Sequence, residues 1–135
     1  MQYKIKTAML IDDEAIDQKT YRRILKRSKL FENALSFSLA EDALEHLKNN
    51  PLEEIDVIFL DINMPRMNGF EFLESATREF GDSFARMFVV MLTTSKNPQD
   101  EERAWSYPAV RDFIDKPLSV EKVERVASLL EESVD

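Results

Sequence analysis

The chain contains no cysteine, which removes disulfides, thiolate metal sites and thiol catalysis together. No apolar run approaches the length of a membrane span. The segment Met1-Gln2-Tyr3-Lys4-Ile5-Lys6 lacks the apolar core of a secretory signal. A cytoplasmic protein that engages no membrane is therefore expected. Positive charge is scarce as well, with 18 Lys and Arg against 26 Asp and Glu and a net charge of −8. A nucleic-acid backbone demands clustered Lys and Arg, so no nucleic-acid partner is expected. The one basic cluster, Arg22-Arg23 with Lys26-Arg27, falls on one predicted helix and reads as a solvated face. The single histidine, His46, lies near Glu45 and Lys48 on another helix and reads as solvated, neither ligand nor phosphodonor. Repeats, linkers and low-complexity segments are missing too. What is left is an ordinary globular composition, 44% hydrophobic and 33% charged over 135 residues. That predicts one domain, residues 1–135, long enough for a single core.

The most informative stretch is Val57-Ile58-Phe59-Leu60-Asp61 and the loop after it. The apolar run is too short for a helix and reads as a strand buried on both faces, ending in a carboxylate. Pro65 and Asn68-Gly69 supply turn chemistry, with Asn-Gly read as tolerating positive φ. Phe70, Leu73, Thr77 and Phe80 then recur at helical spacing. Thr7 to Ile11 is a second apolar run and ends in Asp12-Asp13-Glu14; a helix follows whose single apolar stripe is Ile16, Thr20 and Ile24 with Tyr21, Leu25 and Ser28 beside them. Leu35, Phe37 and Leu39 alternate with Ser36 and Ser38, which predicts an edge strand. Ser38 and Glu41 have capping-box spacing ahead of the helix carrying Ala40, Ala43, Leu44 and Leu47. Gly81-Asp82-Ser83 closes the third helix, and Met87 to Leu92 is a third continuous apolar run, ending in Thr93-Thr94-Ser95. Asn97 with Pro98 opens a short helix. Val110 to Asp115 is a charged edge strand leading into Lys116-Pro117, and Ser119 caps the last helix.

Five strands alternating with five helices imply a parallel sheet with right-handed crossovers. The three continuous runs belong in its centre, and the alternating and charged strands at its edges. Order 2-1-3-4-5 satisfies this: a flavodoxin-like, doubly wound α/β fold whose switch point lies between strands one and three. Asp12, Asp13, Asp61, Thr93 and Lys116 all sit at C-terminal strand ends and converge on one shallow site. Three mutually repelling carboxylates call for a cation, and an all-oxygen set without His or Cys favours Mg²⁺. A carboxylate beside Mg²⁺ is a competent phosphoryl acceptor. Lys116 would offer a point charge to a phosphate oxygen, and the Thr93 hydroxyl a donor.

The motifs Ile11-Asp12-Asp13-Glu14, Leu60-Asp61-Ile62-Asn63-Met64-Pro65 with Asn68-Gly69, Leu92-Thr93-Thr94-Ser95 and Lys116-Pro117-Leu118 occur in order at the right strand ends. On these the chain resembles a response-regulator receiver domain of two-component signalling, over essentially its whole length. The resemblance implies that Asp61 accepts a phosphoryl group from a phosphohistidine on a sensor histidine kinase or histidine phosphotransfer protein. It implies Mg²⁺ held by Asp13, by Asp12 largely through water, by Asp61 and by the backbone carbonyl of Asn63. It implies that Thr93 and Phe113 move together on phosphorylation, and that the bond between Lys116 and Pro117 is cis. Many receivers have Tyr where Phe113 stands, and Gly-Ala where this chain reads Pro108-Ala109-Val110.

The function expected is a phosphorylation-switched signalling module, not an enzyme beyond its own phosphorylation and dephosphorylation. Because the last helix ends near the last residue, output through a downstream protein partner or onward phosphotransfer is expected. The competing reading is a Mg²⁺-dependent phosphohydrolase with Asp61 as nucleophile. Such enzymes usually place a second carboxylate two residues on, where this chain has Asn63. Trp105 and Tyr107 read equally as core or as a partner face.

Overall fold

The computed structural model describes residues 5–132; Met1 to Lys4 of the N-terminal segment read above lie outside them. Five strands, β1 Ile5–Ile11, β2 Phe31–Phe37, β3 Val57–Asp61, β4 Val89–Thr93 and β5 Val110–Asp115, form one sheet in the order β2-β1-β3-β4-β5. Every neighbouring pair is parallel, as expected of strands joined by helical crossovers. The longer helices are α1 Ala15–Ser28, α2 Ala40–Asn49, α3 Gly69–Phe80, α5 Pro98–Trp105 and α6 Val120–Glu132. A one-turn helix α4, Asp82–Ala85, and a 3₁₀ turn, Leu52–Glu54, complete the set. The sequence reading stopped the third helix at Gly81. The chain does turn there, at φ +57°, but helical turns resume at once and bury Phe84.

Strand alternation divides the core in two. Met9, Ile11, Ile58, Leu60, Val89 and Met91 face one side, packed with residues of α2, α3 and α5. Ala8, Leu10, Val57, Phe59, Val90 and Leu92 face the other, with residues of α1 and α6. The three central strands are buried throughout their apolar runs, which is why they read as continuous rather than alternating sequence. β2 and β5 are the edges. On β5, Asp112 is buried only because Arg125 of α6 meets it with two parallel hydrogen bonds, at 2.6 and 3.1 Å.

Several local expectations are corrected. On the α1 stripe Tyr21 and Leu25 are buried and Ile24 packs against the core, as expected, but Ile16 at its start is 77% exposed. Leu39 is the N-cap of α2 rather than part of the strand, and no side chain caps that helix, so the Ser38–Glu41 capping box is absent. His46 is half-buried against Phe37, ring centroids 5.4 Å apart, instead of solvated. Tyr107 packs against the core and Trp105 remains 47% exposed, which separates two aromatics the sequence left together. The Asn97 cap and the Ser119 bond to the Lys122 amide are as expected.

The Asn68-Gly69 pair is not a positive-φ turn. Asn68 caps α3 in a capping box with Glu71, and the left-handed residue of this loop is Arg66. Gly69 is needed for space instead. A Cβ there would lie 2.6 Å from the Asp61 carbonyl oxygen and 3.0 Å from the Ile62 Cα. Gly69→Ala should gain about 1 kcal/mol of helix propensity and lose more to the backbone clash, roughly 1–3 kcal/mol as overpacking. A net loss in urea unfolding is expected; equal or greater stability would show that the backbone around Asp61 yields.

Candidate functional site

The parallel register determines which side chains meet. Ile11 pairs with Leu60, Asp61 with Leu92, and Thr93 with Asp115, so the residues at or just beyond these positions lie along one edge of the sheet. Side chains alternate between faces, and Asp12, Asp61 and Lys116 share the parity of Leu10, Phe59 and Ile114, the α1/α6 side. Thr93 and Phe113 share the parity of Met91, the side of α2, α3 and α5. The sheet edge thus carries a charged cluster on one face and a hydroxyl–aromatic pair on the other.

In the charged cluster, one oxygen each of Asp12, Asp13 and Asp61 lie within 4.8 Å of one another. Asp12 and Asp61 are buried, at 1% and 4% exposure. The Lys116 ammonium stands 3.1 Å from Asp12 Oδ2, 3.0 Å from Asp17 Oδ2 and 3.2 Å from Asp61 Oδ1. Its backbone amide donates to the Thr93 carbonyl at 2.9 Å, and the Lys116–Pro117 bond is cis. Asp12 is fully engaged: Oδ2 also accepts from the Tyr21 hydroxyl at 2.9 Å, and Oδ1 from the Glu14 amide at 2.9 Å. Asp13 makes no hydrogen bond or ion pair among the described residues. The Thr93 side chain is buried, and its hydroxyl accepts from the Ser95 amide at 2.8 Å; Ser95 in turn donates its hydroxyl to Asp100 of α5 at 2.7 Å.

The electrostatics follow from burial. Burial, and then the Asp12 carboxylate beside it, push the Asp61 carboxyl up to about 6 from an ordinary 3.8; Lys116 and the Asn63 amide pull the other way without cancelling them. For Lys116, burial alone would lower the ammonium's pKa, but Asp17, Asp61, Tyr21 and Asp12 outweigh it and hold it above the ordinary lysine value. Burial, then Asp12, raises the Tyr21 phenol. One cation among four carboxylates leaves the site short of positive charge. The donor set is all oxygen, and Asp13 and Asp61 are the members with lone pairs to spare. Such a set fits a hard divalent cation.

The structure therefore gathers Asp12, Asp13, Asp61 and Lys116 as the sequence predicted, with Asn63 exposed just beyond them. Thr93 is turned into the core and bonded to its own loop. Phe113 is partly buried beside that core. Three participants were missed, all on α1. Asp17 binds Lys116, Tyr21 binds Asp12, and the Gln18 side-chain amide donates to the carbonyls of Leu10, Asp12 and Phe37 at 3.0–3.3 Å. Their spacing, Asp17 and Tyr21 four apart with Gln18 between, was the available signal.

Residues 8–128 match the family model described as the response regulator receiver domain. Among curated relatives, a two-component response regulator of Arabidopsis thaliana is 33% identical over 112 residues, 82% of this chain and 18% of the relative. Response regulator MprA of Mycobacterium leprae (strain TN) is 30% identical over 84% of this chain and 48% of its own length. The chain thus spans less than half of each. Among solved structures, a two-component response regulator from Cytophaga hutchinsonii superposes with a TM-score of 0.86 at 24% identity, covering 95% of this chain and 98% of that one. The CheX–CheY–BeF3–Mg complex from Borrelia burgdorferi gives 0.77 at 25% identity, covering 96% and 90%.

A carboxyl whose pKa is raised on folding is most favourable to stability below the unfolded value of 3.8, and that contribution is lost as pH rises to about 6. With chelator present, Asp61→Asn should therefore be more stable than the parent at pH 7.5, by roughly 1–3 kcal/mol for a shift of this size. The gain should shrink towards pH 4. Urea unfolding at the two pH values measures it, and a destabilised variant at pH 7.5 would show that the Lys116 contact outweighs burial.

Proposed function

This chain belongs to the family of response regulator receiver domains, and its function in general terms is phosphorylation-based signalling; we propose that Asp61 is its phosphoryl acceptor, within a single receiver unit spanning the chain. The observation that carries this is the placement of Asp61: buried at a strand end, 3.2 Å from the Lys116 ammonium, with Asp13, a carboxylate without a partner among the described residues, in the same cluster.

The phosphodonor is a phosphohistidine on a kinase or phosphotransfer protein. An Asp61 carboxylate oxygen attacks phosphorus as the bond to the imidazole nitrogen breaks, and the histidine leaves with the bonding pair. Lys116 donates to an oxygen of the transferring group, where charge is greatest. Asp13 and Asp61, with the Asn63 backbone carbonyl, would hold Mg²⁺; Asp12, both of whose oxygens already accept hydrogen bonds, would contribute less directly. Bound Mg²⁺ supplies charge neutralisation for the phosphoryl oxygens. Output runs through Thr93: its hydroxyl leaves the Ser95 amide to donate to the phosphoryl group. Ser95 is bonded to Asp100, so α5 feels that departure directly. Phe113, on the same face as Thr93, moves into the space released. Trp105, exposed at the end of α5, belongs to the surface where a downstream protein partner reads the change.

Incubation with Mg²⁺ and a small acyl phosphate should add one alkali-labile phosphoryl group by intact mass. Asp61→Asn and chelator should each abolish it. Stoichiometric labelling of the variant would remove Asp61 as acceptor, and an undiminished rate in chelator would remove the metal.

Thr93→Ala should still be labelled, but the difference in partner affinity between phosphorylated and unphosphorylated forms should shrink. Binding measured for both forms of both proteins checks this. An unchanged difference would leave Thr93 outside the switch.

A further inference from the structure

An ammonium has three protons and no more. Lys116 donates two of its own to Asp12 at 3.1 Å and Asp17 at 3.0 Å, and its charge stands 3.2 Å from Asp61. Asp12 and Asp61 belong to the cluster that gathers Asp13. Asp17 does not; it stands in the first turn of α1, and its side chain is 34% exposed. It is also fixed in place. Gln18 ties this turn to the ends of β1 and β2 through three carbonyls, and one turn on Tyr21 is buried with its hydroxyl on Asp12. The backbone of Asp17 is therefore held beside Lys116, and the ammonium is drawn towards α1 by a hydrogen bond that a new acceptor on Asp61 would have to compete with.

We propose that Asp17 is a positioning residue that retains the Lys116 ammonium and so limits how much of it a phosphoryl group on Asp61 can recruit. The proposal rests on Asp61 being the acceptor. Asp12 is already held by Tyr21 and the Glu14 amide, and Asp61 itself carries the incoming group. Asp17 is thus the partner whose hold opposes recruitment without contributing to it. Removing its charge while keeping its shape should free Lys116 and strengthen the phosphorylated state.

The test is titration of the full chain with beryllium fluoride and Mg²⁺, followed by calorimetry and fluorine NMR, for wild type, Asp17→Asn, Asp17→Glu and Glu14→Gln. Glu14 is an exposed carboxylate at the same end of α1; its loss reports the general effect of one fewer negative charge. Asp17→Asn should bind the phosphoryl mimic roughly three- to fivefold more tightly, the upper range of a partly exposed ion pair released. Asp17→Glu should restore affinity towards wild type, and Glu14→Gln should stay within about twofold of it. Equal or weaker binding by Asp17→Asn, or the same gain in Glu14→Gln, overturns the retention of Lys116 by Asp17 and leaves the acceptor intact. Failure of the wild type to bind the mimic at all overturns the acceptor assignment and this proposal with it.

Discussion

One ammonium group organises the functional end of this molecule. Lys116 Nζ lies within 3.2 Å of carboxylates contributed by α1, by the residue after β1 and by the end of β3. Neighbouring strands in a sheet are about 4.8 Å apart. With β4 between them, β5 and β3 are separated by about twice that, and an extended lysine covers the distance. An arginine would replace the compact charge with a planar fork of different geometry. The cluster remains unbalanced even so. Burial, and then repulsion from the Asp12 carboxylate, push the Asp61 carboxyl up to about 6. A cluster so short of positive charge favours the arrival of a cation.

The sheet register puts Asp61 and Thr93 on opposite faces. A slip of one residue would send every side chain to the opposite face, so the positions of Asp61 and Thr93 are set by the apolar residues preceding them. Leu60 and Met91 face α2, α3 and α5, whereas Phe59 and Leu92 face α1 and α6. The Asp61 carboxylate therefore lies on one face, and the Thr93–Ser95–Asp100 hydrogen-bonded chain runs towards α5 on the other. Gly69 adds a second constraint, because its missing side chain lets the start of α3 lie against the Asp61 carbonyl.

The sheet was legible in the sequence because burial of the three central strands leaves continuous apolar runs, and each run ends in a polar residue. Strand order followed from which runs were continuous. The carboxylates and Lys116 were legible for the same reason: they mark where apolar sequence stops. What escaped lies on α1. Tyr21 was legible as part of an apolar stripe, but its hydroxyl's bond to Asp12 was not. Asp17 looks like an ordinary first-turn acid favoured by the helix dipole, since its partner is 99 residues away. Gly69 was misread because Asn-Gly is so strong a turn signal that close packing was not weighed against it.

Site-resolved chemistry of the phosphorylated wild-type chain puts the acceptor to the most direct test. Borohydride reduces an acyl phosphate of aspartate to homoserine, and peptide mass mapping then identifies the carboxylate that carried the phosphoryl group. Homoserine at residue 61 alone, with Asp12, Asp13 and Asp17 intact, is the result expected of a buried acceptor facing Lys116. Homoserine at any of those three, or a labelled protein with none at 61, would contradict it.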